Sequence, residues 1–243
     1  MVVGAVHCQF LIVASIASPV RLAKIFFSDR NLLFQGGVGR GTGIGERGGL
    51  SEQDAFETLK QALPYYDKFI GIGLDSSELG NPPEKFARVF SRAREFGFHV
   101  VAHAGEEGPP SYIQNALDRL LVERIDHGVR CLEDADLTQR LVKSSMPLTV
   151  CPLSNLKLRV VENLKDHNIL QLLDAGVMAT INSDDPAYFG GYINDNFVAV
   201  VDALPMSLHH AKQLAYNSFG ASFLDDESKQ FYLTEVDAFF NSH

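Results

Sequence analysis

The stretch Phe98-His-Val-Val-Ala-His-Ala-Gly-Glu106 decides how this chain folds, because an apolar run typical of a buried strand ends there in polar residues. His103 offers an imidazole of the kind that binds metals, and Glu106, three residues later, offers a carboxylate for acid–base chemistry. Downstream, Ser183-Asp-Asp-Pro follows a second apolar run, Val177 to Ile181. The two stretches indicate a metal site with an acid–base group beside it.

Short apolar runs alternate with amphipathic segments over most of the chain. The strand candidates are Lys68 to Asp75, Phe98 to His103, Glu123 to His127, Pro147 to Cys151 and Val177 to Asn182. The helix candidates are Ser51 to Leu63, Pro83 to Phe96, Ser111 to Leu121, Glu133 to Lys143, Asn168 to Ala175, Leu208 to Phe219 and Asp226 to Phe240. Repeated strands and helices predict an α/β fold with a parallel sheet.

The N-terminal portion departs from this pattern. The first twenty residues, Met1 to Val20, are apolar enough for a signal peptide or anchor, but they lack a basic start, so we favour a buried strand or helix. Arg21 to Phe27 is a further strand candidate. The glycine-dense segment Gly36 to Gly49 formally contains a dinucleotide-binding spacing, but we interpret it as a flexible loop, because glycines this dense match such spacings by chance.

Composition limits the classes of partner. The chain has 243 residues, 46% of them hydrophobic, which is enough for one domain of residues 1–243 with a large core; two small domains are the alternative. The formal charge of −9 gives no electrostatic attraction to nucleic acid or anionic lipid, so we expect a small neutral substrate. Three scattered cysteines indicate the reducing cytoplasm rather than a disulfide framework. The sequence does not give the oligomeric state.

Polar residues with catalytic chemistry follow five of the predicted strands, and the carboxyl ends of parallel strands meet on one face. They are Asp75, His103 with Glu106, Asp126-His127, Ser154-Asn155 and Asp184-Asp185. His103 and Asp184 are the predicted ligands of a Zn²⁺ ion, which lowers the pKa of a bound water. Glu106 would act as general acid and base, His127 would assist the hydroxide, and Asp185 would accept a hydrogen bond from the substrate.

Purely structural roles for these residues stay open. His127 taken alone fits a satisfied core histidine, and Asp184-Asp185 could instead cap a helix that begins at Pro186. His167 lies in polar surroundings and is given no role.

Four motifs in order resemble the adenosine and adenine deaminase family. They are His103-Ala-Gly-Glu, Arg124-Ile-Asp-His-Gly-Val, Leu148-Thr-Val-Cys-Pro-Leu-Ser-Asn and Ser183-Asp-Asp-Pro. The resemblance covers residues 50–243 and leaves residues 1–49 divergent. It implies a (β/α)₈ TIM-type barrel of the metal-dependent amidohydrolase class. Gly73-Leu-Asp-Ser-Ser-Glu and Tyr188-Phe-Gly-Gly-Tyr look like the bacterial adenine deaminase branch.

The resemblance implies one role for each matched residue and one reaction. Zn²⁺ would lie on His103 and Asp184, Glu106 would donate a proton to the purine ring, His127 would assist the hydroxide, and Asp185 would hold the base. The implied reaction is hydrolytic deamination of adenine to hypoxanthine and ammonia by a zinc-activated water, a step of purine metabolism.

One family motif is missing. The family carries a His-x-His pair of zinc ligands on its first strand, and this sequence contains no His-x-His; His7-Cys8-Gln9 is its nearest counterpart. We therefore expect a barrel that is truncated or incomplete at the N-terminus, with about six of eight strands recognisable. The residues from Met1 to Ser18 could cover the open edge as a surrogate strand.

The missing ligands leave two other functions open. An impaired metal site would make the chain a catalytically inactive remnant or a binding protein of the same fold. Alternatively, the substrate is adenosine or an N6-substituted adenine.

Overall fold

The computed structural model of the protein describes residues 9–13, 51–75 and 77–242. The sequence predictions for Arg21 to Phe27, for the glycine-rich segment and for His7 fall outside these residues. The chain forms two compact units: the first comprises the described residues up to Ala104 together with Ser111–Glu123, and the second comprises Gly105–Pro110 and the residues from Arg124 onward. A single domain over residues 1–243 stays a prediction.

The first unit contains three strands and three helices. In chain order they are β1 (Gln9–Val13), α1 (Glu52–Ala62), β2 (Gly71–Asp75), α2 (Ala87–Glu95), β3 (His99–Ala104) and α3 (Pro110–Asn115), with 3-10 turns at Leu63–Lys68 and Pro83–Phe86 and a π-helical turn at Ala116–Leu120. Strands β2 and β3 are parallel and connected through α2, as the alternation of strands and helices predicts.

Strand β1 is an exception to the parallel pattern. It pairs with β2 in the antiparallel direction, with Gln9 opposite Asp75 and Val13 opposite Gly71. A surrogate strand from Met1 to Ser18 was one expectation from the sequence, and residues 9–13 form such a strand. Its direction differs from that of the parallel sheet we predicted. An antiparallel partner satisfies the edge of β2 equally well, because both ladders use every second backbone group of the edge strand.

The second unit contains three parallel strands. Strand β4 (Arg124–His127) pairs with β5 (Leu148–Val150), and β5 pairs with β6 (Ala179–Ile181). The helices of this unit are α4 (Ala135–Ser144), α5 (Pro152–Lys157), α6 (Ile169–Asp174), α7 (Pro186–Phe189), α8 (Ile193–Ala203), α9 (Leu208–Gly220) and α10 (Asp226–Asn241), with 3-10 turns at Val129–Glu133 and Leu164–Asp166. The strands come in the predicted order, and each of the predicted helices of this unit is present.

Side-chain hydrogen bonds fix where several helices begin. The predicted capping box is present at α1, where the Ser51 hydroxyl accepts from the Asp54 N–H and the Asp54 carboxylate accepts from the Ser51 N–H. Asp134 and Asp225 accept from backbone N–H groups in the first turns of α4 and α10. Such caps satisfy N–H groups that have no partner within the helix.

Strands β2 to β6 are largely buried, which is typical of parallel strands covered by helices. Val100, Val101 and Ala102 of β3 are fully buried, as are Leu148 and Val150 of β5. These apolar runs are the ones that the sequence identifies as strands. Thr149 and Thr180 are polar residues inside β5 and β6, whereas Asp75, His103 and His127 lie at or next to the carboxyl ends of β2, β3 and β4.

Three helices escaped prediction from the sequence. Helices α5 and α7 are only six and four residues long, which is too short for a helical period to be recognised. Helix α8 carries apolar side chains on its exposed face, including Val198 and Val201, so it lacks a clear amphipathic pattern. Among the described residues, the helices are all too short or too polar to cross a membrane.

We predict that Gly128→Ala destabilises the protein by roughly 1–3 kcal/mol. Gly128 has a φ of +67°, and an added Cβ would lie 2.8 Å from Leu148 Cδ2. Gly190→Ala is the matched control, because Gly190 has a φ of +83° but no atom within 4 Å of the added Cβ. Chemical denaturation should therefore show a larger loss for Gly128→Ala, and equal losses would contradict crowding against β5.

We also predict an acid-sensitive contribution to stability from His167. Burial lowers the pKa of His167 from 6.5 to about 4, whereas the unfolded chain keeps the ordinary value. The unfolded state alone gains a proton as the pH falls from 6.5 to 4, so stability is lost over that window, by up to about 3 kcal/mol. His167→Gln should flatten the dependence of the unfolding free energy on pH between 6.5 and 4. An unchanged slope would contradict the prediction.

Candidate functional site

Glu106 is a buried carboxylate in the short segment Gly105–Pro110, which follows β3 in the chain. Arg130 holds the backbone on both sides of it. The Arg130 N–H donates to the Gly105 carbonyl over 2.9 Å, and its Nη1 donates to the Glu107 carbonyl over 2.7 Å. Because Glu133 binds the other side of the same guanidinium, the arginine itself has a fixed orientation. The backbone at Glu106 is therefore held in place by Arg130.

Two side chains lie against the carboxylate of Glu106. The Nδ2 atom of Asn155 donates to Glu106 Oε1 over 2.6 Å, and His127 Nδ1 lies 3.1 Å from the same oxygen. Asn155 is fully buried and His127 is 1% exposed, so these interactions are shielded from water. Hydrogen bonds in such surroundings are stronger than those exposed to water. The second unit thus brings Glu106 and His127 together, as predicted.

Asp184 lies on the other side of His127. The two side chains approach to 3.9 Å between His127 Nε2 and Asp184 Oδ2, and the Ser154 hydroxyl donates to the same Asp184 oxygen over 2.7 Å. Ser154 lies in α5, the helix that follows β5, and Asp184 lies shortly after β6; the carboxyl ends of β5 and β6 are adjacent in the parallel sheet. The predicted convergence of strand ends therefore holds for Glu106, His127 and Asp184 within the second unit.

The backbone is strained at two of these residues. His127 has a φ of +64° and Asp184 a φ of +57°, values in the left-handed region that residues with side chains seldom adopt. Such a conformation costs about 1–2 kcal/mol. Residues in this state concentrate at functional sites, where the surrounding structure enforces them. The strain supports a functional interpretation of His127 over that of an ordinary core histidine.

His103 belongs to the first unit, at the carboxyl end of β3. Its Nε2 atom lies 3.1 Å from Asp75 Oδ1, which ends the neighbouring strand β2. The sequence placed both residues at strand ends, and this contact agrees with that placement.

Asp185 occupies the position before the first turn of α7, and it is partly buried. Its backbone carbonyl accepts from the N–H groups of Tyr188 and Phe189, but its side chain makes no capping hydrogen bond. The alternative in which the carboxylate serves as the helix cap is therefore not supported. The Asp185 side chain therefore does not serve as the N-cap of α7.

Three side chains of the second unit could share a metal ion. His127, Cys151 and Asp184 each offer a ligand atom, and these atoms lie within 4.8 Å of one another. Nitrogen, sulfur and carboxylate oxygen are the donors that zinc accepts, whereas magnesium and calcium prefer oxygen alone. The chemistry of the donor set therefore fits zinc. Cys151 was not among the ligands predicted from the sequence.

Sequence reasoning gave no role to several residues that hold the site. Ser154 and Asn155 were recognised only as polar residues after a strand, and Arg130 and His167 carried no signal, because their partners lie far away in sequence. A cavity of about 260 Å³ in the second unit is lined by Arg130 and His167 among others, but by none of the predicted site residues. We therefore do not assign the substrate to it.

Comparison with known proteins identifies the family. Residues 46–239 match the family model described as "Adenosine deaminase". The chain is 61% identical over 194 residues to an adenine deaminase of Hahella chejuensis, covering 80% of this chain and 58% of that protein. It is 65% identical over 187 residues to an adenine deaminase of Acinetobacter baylyi, covering 77% and 56%.

A solved structure gives the same result for the fold. The crystal structure of adenine deaminase from Arthrobacter aurescens matches with a TM-score of 0.77 and 53% identity, over 79% of this chain and 59% of that one. The predicted fold class, a TIM-type barrel of the amidohydrolase type that is truncated, is thereby confirmed. The chain spans a little over half the length of the curated relatives it matches. These matches show that the chain belongs to the adenosine deaminase family.

Proposed function

We propose that the protein is a purine deaminase that hydrolyses adenine to hypoxanthine and ammonia. The observation that carries this proposal is the buried Glu106 carboxylate, held by Asn155 and in contact with His127, in a chain about 60% identical to proteins named adenine deaminase. Replacing the amino group of adenine by oxygen requires one proton to enter the ring, one water to add and ammonia to leave. The site offers groups for each proton transfer.

Glu106 is the proposed proton donor to a ring nitrogen of the purine. Its Oε1 atom accepts from the Asn155 amide and lies 3.1 Å from His127 Nδ1, and these contacts hold the carboxyl group in one orientation. A carboxyl group held at a fixed position can protonate the ring as water adds. It recovers a proton from the new hydroxyl group when the carbon–oxygen double bond forms, and the proton that His127 takes from the water passes to the leaving amine. Asp185, whose side chain does not cap α7, is proposed to accept a hydrogen bond from a purine N–H.

His127 is proposed to take up a proton from the attacking water. Its Nδ1 atom lies beside Glu106 Oε1 and its Nε2 atom faces Asp184 Oδ2, so carboxylates flank both ring nitrogens. A carboxylate next to an imidazole stabilises the protonated ring. The charge that His127 gains during the reaction would therefore be balanced in place.

The proposed cofactor is zinc, with Asp184 and His103 as ligands. Asp184 lies within reach of further donors on His127 and Cys151, and Ser154 orients its carboxylate. A bound zinc ion would supply a water that is a good nucleophile near neutral pH. We propose the cytoplasm as the location, since Cys131 and Cys151 are free buried thiols, which a reducing compartment preserves.

We predict that the zinc-supplemented protein releases ammonia from adenine faster than from adenosine or N6-methyladenine. Adenine has no ribose and no substituent on the amino group, and the relatives from Hahella chejuensis and Acinetobacter baylyi are named adenine deaminase. Comparing kcat/KM for the three compounds by ammonia release tests this prediction. Faster turnover of adenosine or of N6-methyladenine would contradict adenine as the substrate. Absence of ammonia release from all three compounds would contradict the proposed function.

We predict that Glu106→Gln lowers kcat on adenine by about 10²–10⁴-fold, the usual contribution of a general acid. Glutamine accepts the same bond from Asn155 but has no proton of suitable acidity to give. Glu107→Gln is the matched control, because the described contact of Glu107 uses its backbone carbonyl. A loss below about tenfold for Glu106→Gln, or an equal loss for Glu107→Gln, would rule out the acid role.

A further inference from the structure

A chain of buried hydrogen bonds leads from His167 to the Glu106 carboxylate. His167 Nε2 lies 3.1 Å from Asn155 Oδ1, and Asn155 Nδ2 lies 2.6 Å from Glu106 Oε1. His167 is 3% exposed, Asn155 is fully buried and Glu106 is 7% exposed. All three residues belong to the second unit. Water therefore has little access to any link of this chain.

The hydrogen bonds fix which atoms donate. The backbone N–H of Ile169 donates to His167 Nδ1 over 3.1 Å, so that nitrogen carries no proton. Burial lowers the pKa of His167 to about 4, which keeps the ring neutral at pH 7. A neutral ring with an unprotonated Nδ1 has its proton on Nε2. His167 Nε2 therefore donates to Asn155 Oδ1.

This donation in turn fixes the amide of Asn155. An asparagine side chain can rotate by half a turn and exchange its oxygen and nitrogen, with little change in shape. With His167 donating to the oxygen, only one orientation satisfies both partners, and in it the NH₂ group points at Glu106. The reverse orientation would place an amide oxygen against a carboxylate oxygen and a donor against a donor.

The position of His167 is itself well defined. Its backbone N–H donates to the Leu164 carbonyl over 3.1 Å, at the end of a 3-10 turn, and its ring accepts from the first residue of α6. Asn155 is likewise held in α5, where its own N–H donates to the Cys151 carbonyl. The two residues are thus attached to separate parts of the fold, and they meet only at this bond.

We propose that His167 is a positioning residue for Glu106, acting through the amide of Asn155. It holds the carboxylate in one orientation. The claim that His167 affects catalysis rests on the proposed deaminase function. The claim that His167 orients the Glu106 carboxylate through Asn155 does not depend on that function.

Two substitutions of His167 separate its two hydrogen bonds. His167→Gln keeps an N–H donor that reaches Asn155 but gives up the acceptor for Ile169. His167→Asn keeps an acceptor near Ile169 but is too short to donate to Asn155. A merely structural role predicts that activity follows the stability of each variant. A positioning role predicts that it follows the donor to Asn155.

In kinetic assays on adenine, we expect His167→Asn to lower kcat by about tenfold or more, with KM changed by less than about threefold, because a misplaced acid slows the chemical step. His167→Gln should recover most of that loss. His210→Gln serves as the control, since His210 binds Asp174 on the surface at 3.2 Å. Equal kcat in His167→Asn and His167→Gln would overturn the catalytic part of the proposal.

Nuclear magnetic resonance tests the hydrogen-bond chain without any turnover. Nitrogen-15 spectra of the imidazoles should show His167 protonated on Nε2 alone, with slow exchange of that proton. The side-chain carboxyl signal of Glu106, assigned from its loss in Glu106→Gln, should shift or broaden in His167→Asn and stay near the wild-type position in His167→Gln. An unaltered Glu106 signal in folded His167→Asn would overturn the positioning role. Normal spectra in a protein that releases no ammonia would instead reject the deaminase function alone.

Discussion

The Asn155 amide donates to Glu106 Oε1 over 2.6 Å in a part of the second unit that water scarcely reaches. Burying a carboxylate is unfavourable by several kcal/mol unless hydrogen bonds replace its hydration, so the site depends on this bond. His167 contacts the oxygen of the same amide, and Arg130 donates to the carbonyl groups on both sides of Glu106. One buried polar network thus fixes the position of the proposed acid.

Backbone strain and polar burial coincide in the same few residues. His127 and Asp184 adopt left-handed φ values, and both face the cluster that contains Glu106 or Ser154. A fold selected for stability alone would place glycine or asparagine at such positions. Accepting this cost places an imidazole between two carboxylates, an arrangement that can take up and return protons. The family to which the chain belongs gives this arrangement its proposed use in purine deamination.

The strand ends could be predicted from the sequence, because buried parallel strands are continuous apolar runs and the polar residue that follows each run is conspicuous. Glu106, His127 and Asp184 were found in this way. The role of His167 could not be predicted from the sequence, since its partner Asn155 lies in α5 and no local sequence pattern indicates their contact. The direction of β1 was also beyond prediction, because an apolar segment pairs with an edge strand in either direction.

Oxygen incorporation from labelled water tests the central claim, hydrolytic deamination of adenine, most directly. The zinc-supplemented protein is incubated with adenine in water enriched in ¹⁸O, and the mass of the product is measured by mass spectrometry. The proposed reaction forms the new carbon–oxygen bond from water, so hypoxanthine should carry one ¹⁸O atom and appear in equal amount with ammonia. Unlabelled hypoxanthine, or adenine recovered unchanged, would contradict the proposed chemistry of this site.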